Sequence, residues 1–146
     1  MLDTYRIRAR IKEIRKRITT LDKNFKGIPQ EQFLQDETAN AAAERNLQIA
    51  IQACLDIANH IVAALGLERP IKETAEAFVS LAQEKIIPET FVDTMVKITG
   101  YRNILVHGYL DVNRHITYDN IRNHLVDLSK FARYIENFLE RQAKNK

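Results

Sequence analysis

The chain has 146 residues, of which 45% are hydrophobic, and these values predict one globular domain over 1–146 that buries its own core. Only four glycines and three prolines are present, which favours several long helices over many short strands. The single cysteine excludes a disulfide within the chain, and the net charge of +3 is a weak indication of a polyanionic partner.

The first predicted helix runs from about 4 to 23, because apolar residues recur there at every third or fourth position. The same segment is rich in positive charge, carried by Arg6, Arg8, Arg10, Lys12, Arg15, Lys16, Arg17, Lys23 and Lys26. Such a basic segment is either a solvated helix face or a surface that attracts nucleic acid, and the sequence leaves both interpretations open. After a turn that ends at Pro29, a short helix is predicted over 31–35.

The second long helix is predicted from Asp36, a candidate N-cap, to 65, just before Gly66. Its apolar residues cover more than one face, so this helix is either central to a bundle or shared with a subunit interface. One side of it carries a line of polar residues at spacings of three and four, namely Arg45, Gln48, Gln52, Asp56 and Asn59. This line is either a hydrogen-bonded seam that sets helix register or one wall of a polar cleft that faces His107.

Polar residues also bear on the cellular location of the chain. Asp56, Asn59 and His60 interrupt the most apolar segment, so no membrane-spanning run is predicted. The N-terminus is charged and lacks the continuous apolar stretch of a signal peptide. We therefore expect a protein of the cytoplasm with no membrane association.

The second half of the chain predicts three more helices. The third spans about 71–85, and the fourth opens at Pro88, with an apolar stripe formed by Phe91, Met95, Ile98 and Tyr101. A loop is expected over 109–116, after which Thr117 caps a fifth helix. Helices joined by short loops predict an all-α fold, an antiparallel up-and-down bundle of four to five helices.

The end of the fourth helix brings several polar groups within two turns of backbone. Asn103 and His107 are four residues apart and share a helix face, whereas Ile104 and Leu105 are expected to point to the core. Gly108 is a natural helix stop, because glycine adopts left-handed backbone without steric cost. His107 is therefore predicted at the helix end.

Arg102 and His107 together suit the cleavage of RNA without a metal ion. The planar cation of arginine suits phosphate, and histidine titrates near neutrality and can exchange a proton with a 2′-hydroxyl or a leaving 5′-oxygen. From spacing alone, the favoured interpretation of His107 is a helix cap that contacts the last carbonyls. The four histidines have no metal-ligand spacing and no glycine-rich phosphate loop is present, so no metal site and no cofactor are predicted.

Residues 102–109, RNILVHGY, resemble the signature of the HEPN superfamily, which is an arginine, four to six residues beginning with a polar one, and a histidine. Tyr109, two residues after the histidine, resembles the HepT toxin branch, as do the earlier segments 44–50 and 55–61. The resemblance implies a toxin of a type VII-like HEPN/MNT toxin–antitoxin system, a metal-independent endoribonuclease. It assigns catalysis to Arg102, Asn103 and His107.

The resemblance also implies the partners of the chain. Two motif copies are expected to face each other across the cleft of a homodimer, with Arg45, Gln48, Gln52 and Asp56 as possible lining residues. A nucleotidyltransferase antitoxin of the MNT type is expected to neutralise the toxin by transferring AMP from ATP to Tyr109. The alternative is a non-catalytic helical module that binds a nucleotide or a protein.

Overall fold

The computed structural model describes residues 2–67, 75–107 and 113–145, and every regular element in these ranges is helical. The elements are α1 (Thr4–Asn24), α2 (Gln30–Gln35), α3 (Glu37–Ala64), α4 (Glu76–Gln83), a 3₁₀ turn (Glu89–Phe91), α5 (Val92–Val106), α6 (Arg114–Asn123) and α7 (Leu125–Lys144). The all-α fold class predicted from the sequence is confirmed.

Helix α3 is the centre of the fold, because it contacts each of the other α-helices. Its residues Leu47, Ile51, Ile57 and Ile61 are almost completely buried. The helix is long and apolar enough to cross a membrane. However, 56% of its most apolar 18-residue stretch is buried inside the fold, as expected for the core helix of a globular domain. The apolar residues on more than one face of α3 are thus largely used within one chain.

Both ends of α3 form as the sequence predicts. The Asp36 carboxylate accepts a hydrogen bond from the Ala39 backbone N–H at 3.0 Å, which satisfies a donor that the helix leaves unpaired. At the other end Gly66 has a φ of +65°, and the Leu67 N–H returns to the Val62 carbonyl at 2.9 Å. This closing turn needs left-handed backbone, for which glycine is the natural residue.

The C-terminal third differs from the prediction. The cap is Asn113, whose side chain accepts a hydrogen bond from the His115 N–H at 2.9 Å, so α6 begins at Arg114 and the expected loop ends earlier. Thr117 is fully buried inside this helix and caps nothing. The predicted fifth helix is also divided at His124, whose ring contacts Asp119 and Asp127 at 3.3 and 2.9 Å. With α2, this division gives seven α-helices in the described ranges instead of four to five.

The third and fourth predicted helices are shorter than expected in the described residues. Helix α4 ends at Gln83, and Lys85 has a φ of 59°, a left-handed conformation that turns the chain out of the helix. After Pro88 the chain first makes a 3₁₀ turn, and α5 begins at Val92. The predicted start of the third helix over 71–74 lies outside the described residues.

Candidate functional site

The motif lies in the last turn of α5, and the core side of this helix fixes its orientation. Met95, Ile98 and Tyr101 are buried, and the Tyr101 hydroxyl shares a hydrogen bond of 2.7 Å with the buried Thr117 hydroxyl of α6. The expected inward position of Ile104 is wrong, since its side chain is exposed. Leu105 packs against the core as predicted.

The environment of Tyr101 is dry and keeps the phenol neutral. Burial raises the pKa of Tyr101, the hydrogen bond between Tyr101 and Thr117 lowers it, and the nearby Glu44 carboxylate raises it further. Burial likewise raises the pKa of Glu44, against the attraction of Arg114. The pair of Tyr101 and Thr117 therefore serves as a structural link between α5 and α6 and not as an acid–base group.

Helix α5 ends at Val106 and His107 is its C-cap, so the histidine lies at the helix end as predicted from the sequence. The His107 backbone N–H donates to the Asn103 carbonyl at 3.1 Å, and the His107 side chain is exposed. Within residues 2–67, 75–107 and 113–145, the imidazole makes no hydrogen bond and no ion pair. The ring is thus available to an incoming molecule. Gly108 and Tyr109, the two motif positions that follow, lie outside the described residues.

Arg102 is held by neutral acceptors. Its Nη2 donates to the Gln52 side-chain oxygen of α3, and its Nη1 donates to the Asn103 side-chain oxygen at 3.0 Å. The Nε atom is buried without a hydrogen-bond partner in the part of the chain that the structure describes. No carboxylate there forms an ion pair with Arg102, so its positive charge remains available for an anion.

Gln52 connects this arginine to α1. The Gln52 amide nitrogen donates to Asp56 Oδ1 at 2.8 Å, and Asp56 Oδ2 lies 3.7 Å from Arg10 Nη2. Since the carboxylate can only accept, it fixes the amide of Gln52 with its nitrogen toward Asp56 and its oxygen toward Arg102. A chain of contacts thus runs from α1 through α3 to the motif on α5.

Four residues of the predicted polar line also line one cavity. Arg45, Gln48, Gln52 and Asp56 line a space of about 660 Å³ between α1 and α3. Both sequence-based interpretations of the line have support: Gln52 and Asp56 form a hydrogen-bonded seam, and the same residues form a polar wall. The wall does not face His107, since the cavity is lined by residues of α1 and α3 and of the segment before α1.

Sequence reasoning missed the contact between Gln52 and Arg102. The two residues are 50 positions apart, and nothing in helical spacing pairs a position of α3 with one of α5. The sequence does contain one indication of such a contact, because the polar line interrupts an otherwise very apolar helix. In the described residues, no group of three His, Cys, Asp or Glu side chains could hold a metal ion.

An all-α fold whose motif helix ends in Arg102, Asn103 and His107 defines the HEPN class of helical proteins. The family model for ribonuclease HepT-like proteins matches residues 8–135. The chain belongs to this family, and the ribonuclease class predicted from the sequence is confirmed.

Curated relatives cover most of the chain. The mRNA nuclease HepT of Shewanella oneidensis is 35% identical over 125 residues, which are 82% of this chain and 93% of the relative. The tRNA nuclease HepT of Aphanizomenon flos-aquae is 28% identical over 117 residues, which are 80% and 79% of the two chains.

Solved structures give the same assignment. The tri-AMPylated Shewanella oneidensis HEPN toxin in complex with its MNT antitoxin has a TM-score of 0.81 at 32% identity, over 90% of this chain and 97% of that one. The cytosolic protein YutE of Bacillus subtilis has a TM-score of 0.83 at 23% identity, over 97% and 93% of the two chains, and shares the fold. The similarities to the HepT nucleases and to the HEPN toxin confirm the prediction of a toxin–antitoxin ribonuclease.

Proposed function

We propose that this chain is the toxin of a HEPN/MNT pair and that it cleaves RNA at the end of α5. The observation that carries the proposal is the Arg102 guanidinium, held by Gln52 and Asn103 without a neutralising carboxylate, five residues before the exposed His107. A phosphodiester placed there meets a fixed cation and an exposed imidazole, a group that can give or take a proton.

The chemical roles follow from these side chains. The imidazole of His107 exchanges a proton with the attacking 2′-hydroxyl or with the leaving 5′-oxygen, which makes the step general acid–base catalysis. Arg102 stabilises the negative charge that grows on the non-bridging phosphate oxygens. Asn103 accepts a hydrogen bond from Arg102 and thereby orients its guanidinium.

A homodimer is supported by the exposed side of α5. Val96, Ile104 and Val106 are large apolar residues on this helix, and each is more than a third exposed. The apolar surface of α3, from which the sequence suggested an interface, is mostly buried within one chain. The proposed two-fold contact therefore uses the motif-bearing end of α5, which would bring two copies of Arg102 and His107 together.

The proposed control is modification of Tyr109 by a nucleotidyltransferase antitoxin in the cytoplasm. The supporting observation is that a relative with 32% identity is described as tri-AMPylated and bound to an MNT antitoxin. The Tyr109 oxygen attacks the α-phosphorus of ATP, pyrophosphate leaves and the phenol proton is lost. The attached phosphate, two residues from His107, would compete with RNA for the charge of Arg102.

Co-expression with the antitoxin tests this proposal. Mass spectrometry should show added mass in multiples of AMP on the peptide that contains Tyr109, and growth should recover. Tyr109→Phe should remain toxic in the presence of the antitoxin, whereas Tyr134→Phe, a half-buried tyrosine on α7, should still be neutralised. Modification of another residue, or neutralisation of Tyr109→Phe, would contradict the proposed control.

A further inference from the structure

The cavity between α1 and α3 has no role in the cleavage step described above. Its volume of about 660 Å³ lies within the range of small-molecule sites, about 300–1,000 Å³. It shares one wall with the motif: Gln52 lines the cavity and also accepts a hydrogen bond from Arg102. A group bound in the cavity is therefore separated from Arg102 by a single side chain.

The carboxylates of the cavity already have partners. Asp3 caps α1 by accepting a hydrogen bond from the Arg6 N–H at 3.0 Å. Glu13 pairs with Arg17 at 2.8 Å, and Asp56 pairs with Arg10. Glu13 and Asp56 are therefore balanced by arginines, and the Asp3 carboxylate is engaged by the N-terminal end of α1.

Two cations of the same cavity have no such partner. Arg6 and Arg45 line it and are exposed, and neither forms an ion pair with a carboxylate in the described ranges. A cavity with two unpaired guanidinium groups is suited to an anion.

An aromatic ring completes the surface. Tyr5 also lines the cavity, and it is 85% exposed, the most exposed large hydrophobic residue of the described chain. An exposed ring beside unpaired arginines is the combination with which proteins bind single-stranded nucleic acid, because a base stacks on the ring and the backbone contacts the cations.

We propose that the α1–α3 cavity is a subsite for an unpaired nucleotide of the RNA, next to Gln52, the side chain that also contacts Arg102. Tyr5 stacks on the base, and Arg6 and Arg45 contact the flanking phosphates. This subsite rests on the proposed ribonuclease function. It selects single-stranded RNA, since a base within a duplex is already stacked and cannot cover Tyr5.

Binding of a fluorescent single-stranded oligoribonucleotide, followed by anisotropy, tests the subsite. The measurement uses full-length His107→Ala protein, so that the RNA stays intact. Tyr5→Ala should weaken binding about tenfold, as expected for the loss of one stacked base, and Tyr5→Phe should bind like its parent. Arg6→Ala and Arg45→Ala should each weaken binding, whereas Arg133→Ala on α7 should leave it unchanged.

Arg8→Ala distinguishes RNA binding in the cavity from non-specific RNA binding to the basic surface of α1. Arg8 is exposed on the same helix and does not line the cavity, so its loss should cost less affinity than that of Arg6. Equal losses at Arg6 and Arg8, or equal affinity for a duplex of the same sequence, would overturn the subsite. A shift of Tyr5→Ala from dimer to monomer in sedimentation would also overturn it, because the cavity would then be a protein interface.

The subsite and the ribonuclease function can fail separately. A wild-type chain that cleaves RNA while Tyr5→Ala binds and cleaves equally well overturns the subsite alone. A chain that binds RNA through Tyr5 and never cleaves it overturns the proposed function alone.

Discussion

The two sides of α5 differ in how their polar groups are paired. Tyr101 is only 5% exposed and is hydrogen-bonded to α6, whereas its neighbour Arg102 is half-buried and His107 is exposed. On the core side, the Tyr101 hydroxyl is paired with the Thr117 hydroxyl. The other side has a cation without a carboxylate and an imidazole without a hydrogen bond among the described residues.

This difference shows that the fold orients the motif and leaves the positive charge of Arg102 unneutralised. The buried side fixes the orientation of α5 through packing and the contact between Tyr101 and Thr117. Arg102 is oriented by uncharged amide oxygens, which hold its geometry and leave its charge available. An ion pair at Arg102 would orient it equally well but would compete with a phosphate.

Replacing Arg102 should give a large effect on this side. Arg102→Ala should lower the rate of RNA cleavage about 10²–10³-fold, the usual loss for a group that stabilises transition-state charge. Arg102→Lys should recover only part of the rate, because an ammonium cannot donate in a planar fork. Single-turnover cleavage measures both, with Arg133→Ala as a control that should cleave at the wild-type rate. Full activity of Arg102→Ala would remove this residue from the mechanism.

Replacing Gln52 should give a smaller effect of the same kind. Gln52→Leu removes the acceptor of Arg102 Nη2, and kcat should fall about tenfold, which corresponds to about 1.4 kcal/mol of transition-state stabilisation. Gln52→Glu keeps an acceptor for Arg102 and should retain more activity than the leucine variant. If Gln52→Leu changes KM and leaves kcat unaltered, Gln52 contacts RNA and does not position the arginine.

On the core side, Tyr101→Phe should affect stability and leave the cleavage rate unchanged. Loss of the hydroxyl leaves Thr117 buried without this partner, at a cost of about 1–2 kcal/mol. Urea unfolding should show a lower midpoint with the same m-value. Tyr134→Phe is the control, because in the described structure its hydroxyl makes no hydrogen bond, and its midpoint should change less.

The stability that Tyr101 contributes should decrease at alkaline pH. Burial raises the pKa of Tyr101 in the folded state, so the folded chain binds this proton more tightly than the unfolded chain does. The contribution of Tyr101 to the free energy of unfolding is therefore fully present below a pH of about 10, the ordinary tyrosine pKa. It is lost progressively as the pH rises above that value toward the raised pKa of the folded state. A wild-type chain whose alkaline unfolding matches that of Tyr101→Phe would contradict the buried position.

The sequence predicted those parts of the fold that depend on local signals. Helix α3 follows from a long apolar pattern between Asp36 and Gly66, and the end of α5 at His107 follows from the motif and the glycine after it. The cap of α6 was misplaced because both Asn113 and Thr117 are good cap residues, and only packing shows that Thr117 is needed beside Tyr101.

The contacts of the candidate site could not be predicted from the sequence. Arg102, Asn103 and His107 lie within the short segment 102–107, so the motif shows them together. The pairing of Arg102 with Gln52 depends on how α3 and α5 pack, and the cavity beside it depends on the approach of α1 to α3. Helical spacing places residues on one face of one helix and gives no register between helices.

RNA cleavage by wild-type and His107→Ala protein in buffer with EDTA is the most direct measurement of the central claim. The wild-type chain should cleave RNA without a divalent metal, and the variant should lose about 10²–10⁴-fold, the contribution of a general acid or base. Its circular dichroism and unfolding midpoint should match the wild type, because the His107 side chain is exposed. Cleavage by His107→Ala at the wild-type rate, or loss of wild-type cleavage in EDTA, would contradict the account.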